Sequence, residues 1–346
     1  MGVTVSDFGA TYLGNDFKLY TIKNSKGTEL SVTNIGAILV KLVVSNDKGE
    51  FKDVVMGFNS GENYLINGSF FGATVGPVAN RTANAQFSVD GQVYNLKVND
   101  NANNLHTDFD KGFHKVLWDA KTGDNFVEFS RFSPDLEYGL PGNLNMKVTY
   151  TLTDDNEVKI TYDGMSDKKT LINMTNHSYF NLAGHKAGAE AVYNTKLWLK
   201  ASNYTPVVPG AIPTGEIKAV AGTAFDFTKE KSIGRDINAT DEQLLLVKGY
   251  DHNFAIDDYN GKSQLIAKVS CDGREMEVYT DLPGVQFYAG NCIGACEGKE
   301  GAVYGPRMGF CLETQYFPNS ANEKNFVNPI FDANEKYHTE TIYKFK

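Results

Sequence analysis

The sequence has little cysteine, no surplus of basic residues and no long hydrophobic run among its 346 residues. No apolar stretch approaches the ~18 residues that indicate a membrane-spanning helix, so we expect no membrane partner. The 33 basic residues are outnumbered by 42 acidic ones, which gives a formal net charge of −9. This acidic balance disfavours nucleic acid and anionic membranes as partners.

Cysteine is confined to four positions, Cys271, Cys292, Cys296 and Cys311. They are too few and too dispersed for a disulfide framework, and Cys292 with Cys296 lacks the second ligand pair of a structural zinc site. The first residues also lack the basic and apolar regions of a secretory signal. We therefore expect reduced thiols and a cytoplasmic location.

Nucleotide and phosphate signatures are missing as well. The sequence contains no phosphate-binding glycine loop, no dinucleotide fingerprint and no nucleophile elbow. It also contains no internal repeat and no linker rich in proline, glycine or serine. We therefore predict a single domain over residues 1–346, with chemistry that needs no nucleotide.

Strand and turn signals, in contrast, are abundant. Alternating apolar and polar residues flank polar turns within residues 87–96, 146–162 and 265–280, and the first of these turns is an Asp-Gly pair typical of a type I′ hairpin. Helical periodicity is limited to residues 60–64 and 241–246. We predict an all-β fold, a large antiparallel β-sandwich with few short helices.

A polar stripe crosses the segment 172–182. With a strand's period of two, one face of this segment is mainly apolar. The other face carries only hydrogen-bonding side chains, those of Asn173, Thr175, His177, Tyr179 and Asn181. Burying such a face without partners is costly, so we predict that it lines a wet, polar surface suited to a sugar. His177, at its centre, is the natural proton carrier.

A glutamate stands inside a second apolar run, residues 309–318. Period two places Glu313 on the same side as Cys311 and Gln315. A lone buried carboxylate is expensive, so Glu313 is either salt-bridged within its strand or functional. With His177 it would form an acid–base pair.

Several segments resemble, in the same order, the signature segments of the galactose mutarotase (aldose 1-epimerase) family. They are residues 78–81, 104–106, 112–118, 176–182, 249–254, 283–288 and 312–315. The resemblance runs from about Asp53 onward and covers nearly the whole chain. It implies a galactose-mutarotase-like β-sandwich and an isomerase that interconverts the α and β anomers of free aldohexoses such as galactose and glucose.

The resemblance also implies roles for individual residues. Glu313 is the expected base, which takes the proton of the C1 hydroxyl, and His177 is the expected acid, which protonates the ring oxygen. The opened aldehyde then rotates and recloses, without cofactor or metal. The expected substrate-binding residues are His106, Asp251, Arg81, Asn80, Gln286, Ser178 and Tyr179. This scheme requires His177 to keep a pKa at or above its ordinary value, so that the basic limb of a pH profile reports His177 and the acidic limb Glu313.

Three other functions fit parts of the pattern. A glycosidase would use Asp251 and Glu313 as its two carboxylates. A metal-dependent enzyme would use His106, His177 and Glu313 as ligands, although the absence of a His-x-His spacing disfavours this. A non-catalytic sugar-binding relative would need no acid–base pair. We expect a monomer or weak homodimer.

Two positions depart from the family pattern. Thr107-Asp108 stands where relatives usually carry glycines after the site histidine, and Pro77 stands where arginine is common. We expect Thr107-Asp108 to narrow the groove or to place an extra carboxylate near His106, which would alter sugar preference.

Overall fold

The computed structural model describes residues 2–9, 11, 14 and 16–346 of the chain. Strands dominate it. The first ten are β1 (Gly2–Asp7), β2 (Lys18–Lys23), β3 (Glu29–Thr33), β4 (Ile38–Ser45), β5 (Phe51–Asp53), β6 (Ala73–Val75), β7 (Arg81–Thr82), β8 (Gln86–Val89), β9 (Gln92–Asn95) and β10 (Asn104–Leu105). The next twelve are β11 (Asp119–Thr122), β12 (Phe126–Ser133), β13 (Leu144–Leu152), β14 (Glu157–Ser166), β15 (Thr170–Leu171), β16 (Thr175–His177), β17 (Lys196–Leu199), β18 (Asn203–Tyr204), β19 (Val207–Val208), β20 (Ile212–Pro213), β21 (Lys218–Ala219) and β22 (Lys231–Ser232).

The remaining described strands are β23 (Asp251–Ala255), β24 (Gln264–Cys271), β25 (Arg274–Thr280), β26 (Gly284–Tyr288), β27 (Cys296–Glu297), β28 (Val303–Tyr304), β29 (Cys311–Gln315), β30 (Ile330–Phe331) and β31 (Lys336–Phe345). The α-helices of the described residues are short: α1 (Gly61–Leu65), α2 (Gly188–Asn194) and α3 (Glu242–Val247). None of these helices is long and apolar enough to cross a membrane.

Three antiparallel sheets organise the molecule. Strands β1 to β5 form a meander, and nine strands form the largest sheet in the order β11-β12-β13-β14-β31-β25-β24-β17-β22. A third sheet has the order β21-β18-β23-β26-β29. One hydrophobic cluster contains buried residues of all three sheets, for example Leu30, Val148 and Phe287. The predicted β-sandwich is confirmed, and this shared core is consistent with the single domain over residues 1–346, which stays a prediction.

The predicted turns and short helices are confirmed. In the β8–β9 hairpin, Asp90 and Gly91 have φ of 50° and 83°, as the type I′ turn requires. Asp241 caps α3, because its side chain accepts a hydrogen bond from the backbone N–H of Gln243. Helix α2 was not predicted, since a glycine and an asparagine at its ends leave too short a segment for helical periodicity.

The predicted strand over residues 172–182 is wrong in its length. Strand β16 ends at His177, and Phe180 makes only isolated bridges with Val55 and Phe310. Residues beyond His177 therefore do not keep the strict alternation that the prediction assumed.

Arg274 is fully buried and joins two sheets. From β25 of the nine-stranded sheet, its guanidinium donates to the backbone oxygens of Val44 in β4 and of Leu182, each at 3.2 Å, and to the backbone oxygen of Glu50. It also bonds the Asp272 carboxylate at 2.9 Å. The positive charge is thus neutralised and its donors are used on both sides of the interface.

We predict that Arg274→Met lowers the free energy of unfolding by about 3 kcal/mol or more, because each buried carbonyl left without a donor costs about 1–3 kcal/mol. Chemical denaturation followed by circular dichroism measures this change. Arg235→Met is the control, since that side chain is 67% exposed and should change stability by less than about 0.5 kcal/mol. Equal effects of the two substitutions would contradict the bridging role.

Candidate active site

A cavity of about 200 Å³ opens at one end of the third sheet. Its lining consists of Gly68, Ser69, Phe70, Asn80, Arg81, Leu105, His106, His177, Tyr179, Asp251, Tyr288, Cys292 and Glu313. Ligand cavities commonly measure about 300–1,000 Å³, so this one suits a single small molecule. A larger cavity of about 640 Å³ lies elsewhere, beside Lys52, Asp53 and Lys186. Each of these three groups already has an ionic partner, so we place the candidate site in the smaller cavity.

Strand register brings the acidic groups of the cavity together. In the third sheet, Tyr288 of β26 lies between Asp251 of β23 and Cys311 of β29, and Gln286 lies beside Glu313. These side chains share one face, because residues two apart along a strand point the same way. The alternation read from residues 309–318 therefore placed Glu313 and Cys311 correctly.

Glu313 is almost completely buried, with 2% of its surface exposed. Its Oε1 lies 3.7 Å from Nε2 of His177, and its Oε2 has no hydrogen-bond partner among the described residues. Burial, reinforced by the charge of Asp251, raises the pKa of Glu313 well above its usual value, while Arg81 opposes the rise. These surroundings shift the Glu313 carboxyl toward its protonated form.

His177 ends β16, which pairs with β6, and its ring lies between Phe70 and Tyr179 with centroids at 5.8 and 4.9 Å. Burial lowers the pKa of His177 to about 4. The expectation of a pKa at or above the ordinary histidine value is therefore wrong, because packing against aromatic rings removes the water that would stabilise the charge. Burial therefore favours the neutral form of both His177 and Glu313.

His106 directly follows β10, which pairs with β7 and so lies beside Asn80 and Arg81. Its Nδ1 accepts a hydrogen bond of 3.0 Å from the backbone N–H of Asn80. This bond leaves the ring proton on Nε2, the nitrogen free to face the cavity. Burial, with His177 and Arg81 nearby, lowers the pKa of His106 well below its usual value. His106 is therefore a neutral hydrogen-bond donor.

Arg81 and Asp251 provide opposite charges at the cavity wall. Arg81 donates from Nε to Asp100 Oδ2 at 2.8 Å, so it is both ion-paired and part of the lining. Asp251 Oδ1 accepts a 2.7 Å hydrogen bond from Nε2 of Gln286. Burial raises the pKa of Asp251, against the influence of Arg81 and Gln286. Gln286 does not line the cavity itself and contacts the site through Asp251.

Ser178 does not reach the cavity. Its hydroxyl donates to Asn176 Oδ1 at 2.6 Å, and only 1% of the residue is exposed. The predicted wet face is also wrong for Asn173, Thr175 and Asn181, because they bond backbone oxygens of Tyr316, Thr314 and Met308 instead. Only His177 and Tyr179 of that stripe line the cavity, since the strand ends between them.

Six lining residues were not predicted as site residues: Gly68, Ser69, Phe70, Leu105, Tyr288 and Cys292. Tyr288 shares the polar face of the third sheet with Asp251, so period-two reading of residues 284–288 could have found it. Phe70 packs on both His106 and His177 from a loop with φ of 60°, and no sequence pattern indicates that contact.

Thr107 and Asp108 do not border the cavity. The Thr107 hydroxyl donates to the backbone oxygen of Val78 at 2.9 Å and accepts from its N–H at 3.0 Å. Asp108 accepts from Lys97 Nζ and from the N–H of Asp110, at 2.9 and 2.8 Å. We expected a narrower groove or an extra carboxylate near His106. That expectation is wrong, because Thr107 is bonded to the backbone of Val78 and Asp108 to Lys97 and Asp110, and neither residue lines the cavity. Pro77 is likewise absent from the lining.

The three side chains that a metal-dependent enzyme would use as ligands do lie close together. One nitrogen of each histidine, His106 and His177, and one oxygen of Glu313 lie within 4.8 Å of one another. A tetrahedral zinc ion with Zn–N distances of about 2.0–2.1 Å would need these atoms to move closer. The rings are packed against Phe70, which restricts such movement.

Fold and cavity together define a class: an antiparallel β-sandwich enzyme with a buried carboxyl–imidazole pair in a pocket the size of one small molecule. The model of the aldose 1-epimerase family matches residues 18–344. The chain belongs to the aldose 1-epimerase family.

Relatives of this chain agree in sequence and in structure. Galactose mutarotase of Mus musculus is 43% identical over 92% of this chain and 92% of its own length. Aldose 1-epimerase of Escherichia coli is 36% identical over 96% of each chain. Galactose 1-epimerase from Lactobacillus acidophilus superimposes with a TM-score of 0.85 at 29% identity, covering 99% of this chain and 98% of its own.

We predict that Thr107→Val lowers the free energy of unfolding by about 1–3 kcal/mol, because it leaves the buried N–H and carbonyl of Val78 without partners. The ratio of kcat/KM for galactose to that for glucose should not change, since the side chain lies outside the cavity. Thr122→Val, at an exposed position of β11, is the stability control. A shifted sugar preference at unchanged stability would place Thr107 at the groove.

Proposed function

We propose that this aldose 1-epimerase interconverts the α and β anomers of free aldohexoses, galactose and glucose among them, with Glu313 as the base and His177 as the acid. The observation that carries the proposal is the 3.7 Å approach of Glu313 Oε1 to His177 Nε2 inside a cavity for one small molecule. The names of two relatives, galactose mutarotase and galactose 1-epimerase, support galactose as a substrate.

Ring opening needs one proton to leave the C1 hydroxyl and one to reach the ring oxygen. A pair that holds a single proton meets this need, because one member can accept while the other donates. The neutral pair and the ion pair hold the same number of protons. Moving one proton between Glu313 and His177, which lie 3.7 Å apart, converts one form into the other. Reclosure on the other face of the aldehyde reverses both transfers and restores the starting state.

The other polar groups would hold the sugar. His106 offers Nε2–H, Arg81 offers guanidinium donors that suit a vicinal diol, and Asp251 offers carboxylate oxygens that accept from hydroxyls. Asn80 and Tyr179 complete the polar wall. Their burial favours recognition of one hexose by several short hydrogen bonds.

The glycosidase and metal alternatives are separated by direct assays. A mutarotase releases no aglycone from an aryl glycoside, whereas a glycosidase using Asp251 and Glu313 would. A metal-dependent enzyme using His106, His177 and Glu313 would lose activity on prolonged treatment with a chelator and regain it with added metal. We expect neither result. A non-catalytic sugar-binding relative would bind galactose without changing its mutarotation rate.

We also propose a cytoplasmic protein, monomeric or weakly dimeric, without nucleic acid or membrane partners. The net charge of −9 and the four free thiols support this. Size-exclusion chromatography with light scattering would measure the oligomeric state.

The central prediction concerns Glu313. Polarimetry of freshly dissolved α-D-galactose should show accelerated mutarotation, and Glu313→Gln should lower kcat by roughly 10²–10⁴, because the amide cannot accept the proton. Glu277→Gln, in β25 of the large sheet, is the matched control and should keep full activity. A folded wild-type protein that leaves the rate unchanged would disprove the function, and a loss below tenfold would assign the base to another group.

Asp251→Ala should act on binding. If Asp251 holds a hydroxyl equally in the ground state and the transition state, KM rises about tenfold or more while kcat changes little. Arg81→Ala should behave in the same way. Initial rates over a range of galactose concentrations separate the two constants, and an unaltered KM for both variants would remove these residues from sugar binding.

The pKa shifts set the pH dependence. Lowering the pH to about 4 adds a second proton to the pair, at His177, and removes the base. Raising the pH through the elevated pKa of Glu313 removes the single proton and with it the acid. In His177→Asn only Glu313 titrates, and as the base it must be ionised. The basic limb of kcat should therefore vanish, and the acidic limb should move up to the raised pKa of Glu313. Loss of the acidic limb with retention of the basic one would show that Glu313 acts as the acid instead.

A further inference from the structure

Cys311 lies against the ring nitrogen of His177 that faces away from Glu313. Its Sγ is 3.4 Å from Nδ1, and the residue is fully buried. It stands two residues before Glu313 on β29 and on the same face of the sheet. One short stretch of strand therefore contacts both nitrogens of the histidine, through a carboxyl on one side and a thiol on the other.

We propose that Cys311 is a positioning residue, which orients His177 and sets which of its ring nitrogens carries the proton through an S–H···Nδ1 hydrogen bond. This role rests on the proposed function of His177 as the acid. When the thiol donates to Nδ1 of the neutral ring, the ring proton stays on Nε2, the nitrogen that faces Glu313. The proton is then located where the reaction uses it.

A thiol suits this position because it can both donate and accept. The neutral ring needs a donor at Nδ1, whereas the doubly protonated ring needs an acceptor there. Cys311 meets both needs by rotating its S–H bond, without moving the sulfur. A carboxylate at the same place could only accept, so it would hold the proton of the neutral ring on Nδ1 instead of Nε2, and it would also favour the charged ring.

The surroundings of the sulfur keep it a thiol. Cys311 belongs to an apolar cluster that includes Met56, Phe71 and Tyr179. Burial there, with the charges of Glu313 and Asp251, raises the pKa of the Cys311 thiol well above its usual value. A neutral, buried S–H has no water to bond, so Nδ1 of His177 is its available acceptor.

Substitution of Cys311 separates positioning from packing. Cys311→Val fills the site but cannot form a hydrogen bond, and it should lower kcat about 10-fold or more with KM within about twofold, since supporting partners of functional histidines are worth about 10–100-fold. Cys311→Ser keeps a group that both donates and accepts, and it should recover most of the lost kcat. Cys271→Val is the control, because that cysteine lies in β24 of the nine-stranded sheet, where its thiol donates to the backbone oxygen of Ala191.

Infrared spectroscopy gives a readout that does not depend on activity. The difference spectrum between wild type and Cys311→Ser isolates the S–H stretching band of Cys311, which should lie at the lower frequency of a donating thiol. In His177→Phe an aromatic ring still fills the space, but the Nδ1 acceptor is gone. The S–H band of Cys311 should then move to the frequency of a free thiol.

Each outcome decides the matter. A band that does not move in His177→Phe, or full kcat in Cys311→Val, overturns the proposal. Equal losses in Cys311→Val and Cys311→Ser, accompanied by the loss of stability that a packing defect causes, would show a purely structural role and overturn it as well. If wild type fails to accelerate mutarotation but the band shifts as expected, the proposed function fails while the hydrogen bond is established.

Discussion

Desolvation of the Glu313–His177 pair is the constraint on which the rest of the pocket depends. Burial favours the neutral form of each group, whereas their 3.7 Å separation favours the ion pair, so two opposing effects act on the position of the proton. A more exposed pair would lose this balance, because water would fix glutamate as an anion. Arg81 and Asp251 act on the same balance in opposite directions, since one lowers and the other raises the pKa of Glu313.

The sandwich maintains that balance by making the backbone around the pair rigid. Thr175 of β16 donates to the backbone oxygen of Thr314 in β29 at 2.8 Å, which ties the histidine strand to the glutamate strand one residue away from Glu313. On the other side of the cavity, Asn80 and His106 hold each other through backbone and ring hydrogen bonds. Preorganised donors of this kind cost no rearrangement when charge moves during the reaction.

Sequence patterns identified candidate site residues more reliably than they predicted where each side chain lies. Alternation along residues 311–315 identified Glu313, and the polar context of residues 173–181 identified His177, because both stand where a core strand would carry an apolar side chain. Ser178 was wrongly predicted to bind substrate, because the strand ends one residue earlier, at His177. Hydrophobic periodicity does not show where a strand ends. Thr107 was misjudged because its side chain bonds the backbone of Val78, a contact between segments 29 residues apart. Such contacts depend on the path of the backbone, and the local pattern does not encode that path.

Strand β31 lies in the middle of the nine-stranded sheet, between β14 and β25. During synthesis, residues 157–166 emerge long before the partner that must cover their edge, residues 336–345. Until that partner has left the ribosome, β14 presents an unpaired strand edge, the kind of surface on which nascent chains associate with one another. The order of translation therefore delays completion of this sheet until residues 336–345 are available, and until then the edge of β14 is open to association with other copies of the chain.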